Sequence, residues 1–322
     1  MSLVRLLGER FLWVDALCIV QDDGRTRDEL LKNMTSIYAN ALLTIIAAQG
    51  ADAQSGLRGL HGISEPRSLH QPILTSFHGR EVIRRPDLHD DLYGSPWLWR
   101  GWTSQEYLFS RRQLIFVADR VYWNCGTAHW SEDFDADLPV QYACFSSMIE
   151  NAMRSPLSAA YPDILAYDRL VAGYSRRSIT YPEDALEAFT GVMTALELTF
   201  LGGFIQGLPV IFLDIALTWW PNTGELQRRS PYKPSKSCPP SWTWAGWEGA
   251  INAFVWHGIS DIVKEHSWVK YDQSNFRHNT FPPVQWHSRR IKDGFPKRIR
   301  FSNEWYKYKL MFQGKVGPPP PG

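Results

Sequence analysis

Two groups of side chains in this sequence are of the types that do chemistry. The first is Arg100, Trp102, Gln105 and Glu106. A carboxylate can stabilise positive charge that develops in a reaction, an aromatic face can stack on a ring, and an arginine can hold a phosphate in bidentate fashion. On a helix that begins at Trp102, Trp102 and Glu106 fall on one face at i and i+4, with Gln105 beside them. A purely structural account is equally open: Trp102 as core, and Glu106 paired with Arg100, Arg111 or Arg112 to lock the helix.

The second group is Asp15, Cys18, Gln21 and Asp22, strung along the apolar run Phe11–Val20. A carboxylate inside such a run is costly unless paired. Asp15 is therefore expected to bond a backbone cap or an arginine such as Arg100, with contact to a ligand as the second reading. Cys18 reads as a small buried residue rather than a nucleophile, because no histidine stands near it in sequence. The nine histidines show no metal-binding spacing. Trp242, Trp244 and Trp247 suit either ligand stacking or core packing, and packing is the expectation.

Elements must position these groups. Residues 11–20 form a short apolar run with polar ends, which reads as a strand buried on both faces. Thr26 stands three residues before Glu29, the spacing of a capping box. Leu30, Met34, Ile37, Tyr38 and Ala41 then make one helical stripe. Leu42–Ile46 read as a second strand closed by Gly50. Strand, helix, strand is a parallel unit, and in parallel sheets ligands sit beyond the carboxyl ends of the strands, near Asp15, Cys18, Gln21 and Asp22. Gln49–Glu65 is a glycine-containing loop without the spacing of a phosphate cradle. Pro72–Phe77 and Glu81–Arg84 read as short strands. Ser95-Pro96 looks like a cap followed by proline, with the helix itself starting near Trp102. Gln113–Val117 and Arg120–Asn124 form a hairpin about Ala118-Asp119. Further on, Ile164–Tyr174 and Pro182–Leu198 are expected helices. The tryptophan-rich remainder suggests short strands and long loops, and Val316–Gly322 a disordered proline tail.

The 322 residues suffice for two domains, expected at 1–135 and 136–315 ahead of the tail 316–322. The formal charge is +1, so no global field favours nucleic acid or an anionic membrane. Basic clusters such as Arg289-Arg290-Lys292 read as solvated surface. Four cysteines without paired spacing suggest reduced thiols and a cytoplasmic protein. Phe200–Trp220 carries one charge, Asp214, but its glycines and Pro209 make a buried core segment the better reading than a membrane span.

Two blocks, in this order and at this separation, resemble the fungal heterokaryon incompatibility (HET) domain. One is Leu12-Trp13-Val14-Asp15-Ala16-Leu17-Cys18-Ile19-Val20-Gln21-Asp22-Asp23, continuing to Met34, Ile37-Tyr38 and Ala41. The other is Arg100-Gly101-Trp102-Thr103-Ser104-Gln105-Glu106, then Leu108, Ser110-Arg111 and Trp123-Asn124-Cys125. Tyr174-Ser175-Arg176-Arg177, Pro182-Glu183-Asp184, Gly207-Leu208-Pro209 and Pro240–Trp247 extend the likeness to roughly residue 249. Two departures stand out. Leu30 occupies a position where the family pattern has Glu, with Glu29 beside it. An earlier strand block, of Ser-Tyr-x-Trp-Gly type, is not present ahead of Leu12.

The resemblance implies a mostly parallel α/β sheet of TIR-like or flavodoxin-like kind, incomplete at its N-terminus, followed by a mixed α+β tryptophan-rich region. It implies a role in fungal non-self recognition (allorecognition) and programmed cell death, with protein partners and a possible homo-oligomer. By the likeness to TIR domains it implies NAD as a substrate, with no resident cofactor. Glu106 would then be the catalytic group, and Asp15, Cys18, Gln21, Arg100, Trp102 and Gln105 the ligand contacts. The other reading is a non-enzymatic interaction module or an inactive relic.

Overall fold

The computed structural model describes residues 1–20, 22–50, 52, 54–68, 73–78, 80–83, 87–125, 128–132, 157, 162–222, 224–252, 256, 286–289, 295–300 and 302. Gln21 and the segment 316–322 lie outside them. The chain divides into two compact units, Met1–Asn151 and Ala152–Gly322.

In the first unit the described elements are α1 (Ser2–Leu6), α2 (Asp15–Cys18), α3 (Gly24–Asn40), β1 (Thr44–Ala47), β2 (Ile73–Phe77), β3 (Arg80–Ile83), α4 (Leu88–Tyr93), α5 (Thr103–Phe109), β4 (Arg112–Val117), β5 (Arg120–Cys125) and β6 (Ala128–Ser131). Four strands form one sheet in the order β1-β4-β5-β6. β1 runs parallel to β4, with Ile45 opposite Leu114, while β4–β5 and β5–β6 are antiparallel. The expectation of a mostly parallel sheet is thereby corrected to a mixed one. The reason is local. Ala118 and Asp119 both take positive φ, 50° and 57°, the backbone of a two-residue hairpin turn, which joins only antiparallel neighbours.

The larger correction concerns residues 11–20. They form no strand: an extended stretch leads into the single turn α2, and Phe11 is 84% and Leu17 78% exposed. A short apolar run does not by its periodicity distinguish strand from other structure. Asp15 opens the turn and its Oδ1 accepts the Ala16 N–H at 2.7 Å, a local bond that competes with a strand ladder. Cys18 is exposed rather than buried.

Helix α3 matches its stripe, with Met34 and Tyr38 buried. Its start differs from the capping-box reading. The helix opens at Gly24, and the Asp23 carboxylate accepts both the backbone N–H and the hydroxyl of Thr26. Asp23 thus caps the helix and Thr26 lies inside it. The core beneath the sheet joins Ile46, Leu88, Leu92, Trp97, Tyr107, Ile115 and Tyr122. The polar layer beside it is satisfied internally: Asn124 donates to Gln113 (3.0 Å) and Gln113 to the Tyr107 carbonyl (2.7 Å), as burial requires.

In the second unit, α6 (Ile164–Ser175) starts at Asp163, whose Oδ1 accepts the N–H groups of Leu165 and Ala166 at 3.0 Å. The expected helix over residues 182–198 is broken into 3₁₀ turns at Pro182–Asp184 and Glu187–Phe189, followed by α7 (Thr190–Leu196). The Tyr174 hydroxyl donates to the Ala185 carbonyl at 2.6 Å, which takes that carbonyl out of a regular helix ladder. Much of residues 200–216 is core: Phe200, Leu208, Ile211, Phe212 and Leu213 are buried and α8 (Leu213–Ala216) lies among them, whereas the end of the expected core segment is not, Trp220 being exposed. Among the described residues no helix is long and apolar enough to cross a membrane.

The remaining strands pair two by two: β7 (Phe204–Ile205) with β8 (Leu208–Pro209), β9 (Trp220–Pro221) with β12 (Ile251–Asn252), β10 (Gln227–Arg228) with β11 (Trp247–Glu248), and β13 (His287–Ser288) with β14 (Lys297–Arg298). At the centre of the unit Tyr167 stacks on Trp256 and touches Phe189, Phe200 and Phe204.

Candidate functional site

The first unit contains a cleft of about 640 Å³, within the range of small-molecule sites. Its described lining includes α1, the stretch Phe11–Asp15, and the end of α3 and start of β1 with Tyr38 and Ile45, and Glu106 reaches in from α5. The cleft exists because α3 and α5 pack side by side. The Thr35 hydroxyl donates to the Gln105 side chain at 2.9 Å, and the Ser110 hydroxyl ties the end of α5 to Thr44 of β1 at 2.7 Å.

Glu106 sits in the first turn of α5, where the helix end favours a negative charge. Its carboxylate accepts the Trp97 indole N–H at 3.4 Å and is hydrogen-bonded to the Tyr38 hydroxyl. Trp97 is in turn held edge-on against Tyr107. Tyr38 meets Trp13 edge to face, with ring centres 5.8 Å apart. Its hydroxyl is pushed far above the ordinary phenol range, first by burial and then by the charges of Glu106 and Asp15, while Arg100 pulls the other way. Tyr38 therefore stays protonated and donates to the carboxylate. Three carboxylates, Glu9, Asp15 and Glu106, line the cleft, and among its described lining there is no lysine or arginine. The cleft favours positive charge.

Of the residues singled out from sequence, the structure brings Glu106 and Asp15 to this cleft. Asp15 is exposed, not buried in a strand. Arg100 acts on Tyr38 by its charge, but it is exposed and does not line the cleft. Trp102 occupies the N-cap position of α5, half-buried, away from the lining. Gln105 is buried in the α3–α5 contact and holds Thr35, a positioning duty. Cys18 is exposed, with its Sγ facing the Val14 N–H at 3.4 Å. Gln21 falls outside the described residues. Trp244 is core, 1% exposed, whereas Trp242 is 43% exposed.

Sequence reasoning passed over Trp13 and Tyr38. The signal for Tyr38 was present: a phenol in an otherwise aliphatic helical stripe needs a hydrogen-bond partner when buried. Asp87, His89 and Asp90 also cluster within 4.8 Å at the start of α4. Asp87 is the N-cap there, accepting the His89 N–H at 2.8 Å, and the group carries no further argument.

Residues 1–106 match the protein family described as heterokaryon incompatibility protein (HET). The match ends at Glu106, so both Asp15 and Glu106 lie inside it and the downstream resemblances lie outside. No curated protein and no solved structure matches the chain.

Proposed function

We propose, from the match of residues 1–106 to the heterokaryon incompatibility family, that the chain is a fungal non-self recognition effector that acts in TIR-like fashion, by hydrolysing the nicotinamide–ribose bond of NAD in the cleft of its first unit. The observation that supports this reading is the placement of Glu106. It projects into an aromatic-walled cleft of small-molecule size, with Asp15 also in the lining and no basic side chain among the described lining residues.

In the reaction the bond between ribose C1′ and the nicotinamide ring nitrogen breaks. Its electron pair leaves with neutral nicotinamide, a water oxygen bonds to C1′, and the water's proton goes to solvent. Positive charge develops on the ribose as the bond breaks, and a carboxylate is the group that stabilises it. Tyr38 and Trp97 fix the orientation of Glu106 by donating to it. The acidic lining suits that cationic stage. It does not suit a pyrophosphate inside the cleft, so the phosphates are assigned to its mouth, on the side of Arg100.

The test is nicotinamide release from NAD by the full chain, alone and clustered on a solid support. Release that exceeds the buffer rate supports the reading. No release under either condition overturns it.

A second reading is favoured by a different observation. Phe11, Leu17 and Val20 are exposed at 84%, 78% and 49%, which suits a protein-interaction module acting through partners or through a second copy of the chain. Substitution of Leu17 and Val20, which do not line the cleft, by Ser would then abolish partner binding while leaving nicotinamide release unchanged.

A further inference from the structure

The second unit carries a groove that the first unit's chemistry does not use. It encloses about 530 Å³ and is lined by Trp219, Trp220, Pro221, Glu225, Leu226 and Trp247. Its walls are two short ribbons, β9–β12 and β10–β11, joined by the turn at Gly224 (φ 75°). Two of its three indoles are pinned. Trp219 donates its ring N–H to the Trp242 carbonyl at 3.0 Å, and Trp247 donates to the Ser241 carbonyl at 2.8 Å. The Arg228 guanidinium lies over the Trp247 ring at 5.8 Å. Their faces are therefore fixed before anything binds. Trp220 differs: it is 37% exposed, and among the described residues its indole N–H makes no hydrogen bond.

Fixed aromatic faces with a proline in the wall and an indole donor at the rim match one kind of ligand. An extended proline helix has no internal hydrogen bonds and presents its carbonyls outward. It docks on aromatic grooves at low ordering cost and accepts donors from the rim. The chain contains one such segment, Gly317-Pro318-Pro319-Pro320-Pro321. Fourteen residues, 303–316, separate it from Ser302, the last described residue. Extended, a link of that length reaches roughly 45 Å, against a radius of gyration of about 16 Å for a domain of this unit's size. Charge agrees as well: Lys315 stands two residues before Gly317, and Glu225 lines the groove.

We propose that the Trp219–Trp220–Trp247 groove is a polyproline-binding site and that its occupant is the chain's own segment Gly317–Pro321. The Trp220 ring N–H donates to a proline carbonyl, Trp219 and Trp247 supply the stacking faces, and Glu225 meets Lys315. An external proline-rich partner then binds only by displacing the tail, so the tail is an intramolecular competitor for this surface.

The experiment uses the full chain, a full-length variant with Pro318→Ala, Pro319→Ala, Pro320→Ala and Pro321→Ala together, and a fluorescein-labelled peptide of the sequence of residues 315–322, read by anisotropy. The variant is expected to bind the peptide. The unaltered chain is expected to bind it about tenfold more weakly, for a tethered effective concentration on the order of 1 mM and a free Kd on the order of 0.1 mM. Adding Trp220→Ala to the variant abolishes binding. Because Trp220 lies in β9, a second change guards against misfolding: Glu225→Lys in the variant weakens binding of this peptide but spares a peptide with Lys315 replaced by Glu. No binding to the four-proline variant overturns the groove. Equal binding to the variant and the unaltered chain overturns the tail as its occupant.

Discussion

Tyr38 in the cleft and Tyr167 in the second unit are both buried phenols, 8% and 0% exposed, held above the ordinary ionisation range. Their surroundings separate them. Around Tyr167 burial is the dominant cause, and its hydroxyl and the Trp244 indole both donate to the Gly207 carbonyl. Around Tyr38 two carboxylates, Glu106 and Asp15, add to burial, and both also line a cleft. A buried polar group that closes on backbone holds the fold. One that closes on a carboxylate at a cavity wall holds a reactive group in place. The reaction proposed for the first unit rests on that difference, although the second unit has the denser aromatic packing among the described residues.

The largest effect that follows belongs to the second unit. Trp244 touches Tyr174 and Phe189 edge-on, and it is fully enclosed. Trp244→Ala removes that ring and one bond to Gly207, so denaturant unfolding of the chain should lose about 3–5 kcal/mol. Gly207→Ala should fail for a related reason. Its φ is 82°, and an added Cβ would stand 3.0 Å from Leu186 Cδ2 and 3.1 Å from Trp244 Cζ2. An unfolding midpoint that does not move in either variant would remove the structural half of the comparison.

Glu106→Gln comes next. If Glu106 stabilises a ribosyl cation, nicotinamide release per folded molecule should fall at least a hundredfold, about 3 kcal/mol in barrier. Stability should fall by less. Gln offers one acceptor oxygen to two donors, Tyr38 and Trp97, so about one hydrogen bond is lost, roughly 1 kcal/mol. Full activity in the folded variant would reduce Glu106 to the same structural role as the Gly207 carbonyl.

Alkaline titration probes both tyrosines at once. Each has a folded-state pKa raised above its unfolded value near 10. Below about pH 10 both states hold the proton and stability is flat. As pH rises further the unfolded phenol ionises first, and stability falls by about 1.4 kcal/mol per pH unit for each such group. Tyr38→Phe and Tyr167→Phe should each remove one such slope. A Tyr38→Phe chain with an unchanged alkaline slope would mean that Tyr38 is not shielded.

How much of this could be read in the residues themselves follows the same division. Helix α3, the β4–β5 hairpin, α6 and the core character of much of 200–216 were legible because each repeats a pattern over several residues or has a defined turn. Glu106 was legible as a candidate because it is a carboxylate beside an aromatic and an arginine. The N-terminal run was not, because ten apolar residues fix burial only if a neighbour covers them, and the exposure of Phe11 and Leu17 is a tertiary fact. That Arg100 and Gln105 stand off the described cleft lining is a tertiary fact of the same kind. Spacing put Gln105 beside Glu106, but adjacent positions on a helix point in different directions, and Gln105 turns to Thr35.

Asp15 gives the smallest and most selective test. Set in a buried strand, its loss would cost several kcal/mol by stranding a partner. Exposed at the start of α2 and bonded to the N–H of its own neighbour, it contributes little to folding. Asp15→Ala should move the unfolding free energy by no more than about 0.5 kcal/mol, as for other surface changes. Its effect belongs to the cleft. Removing one of the charges that act on Tyr38 lowers that phenol's pKa toward its ordinary value, so the alkaline fall in stability should become shallower at its upper end while neutral stability is unchanged. In the proposed reaction the same loss removes a carboxylate from the cleft that holds Glu106 and should raise KM or lower kcat without unfolding the chain. A drop of several kcal/mol at pH 7 would restore Asp15 to the fold, and an unaltered titration of Tyr38 would separate it from the site.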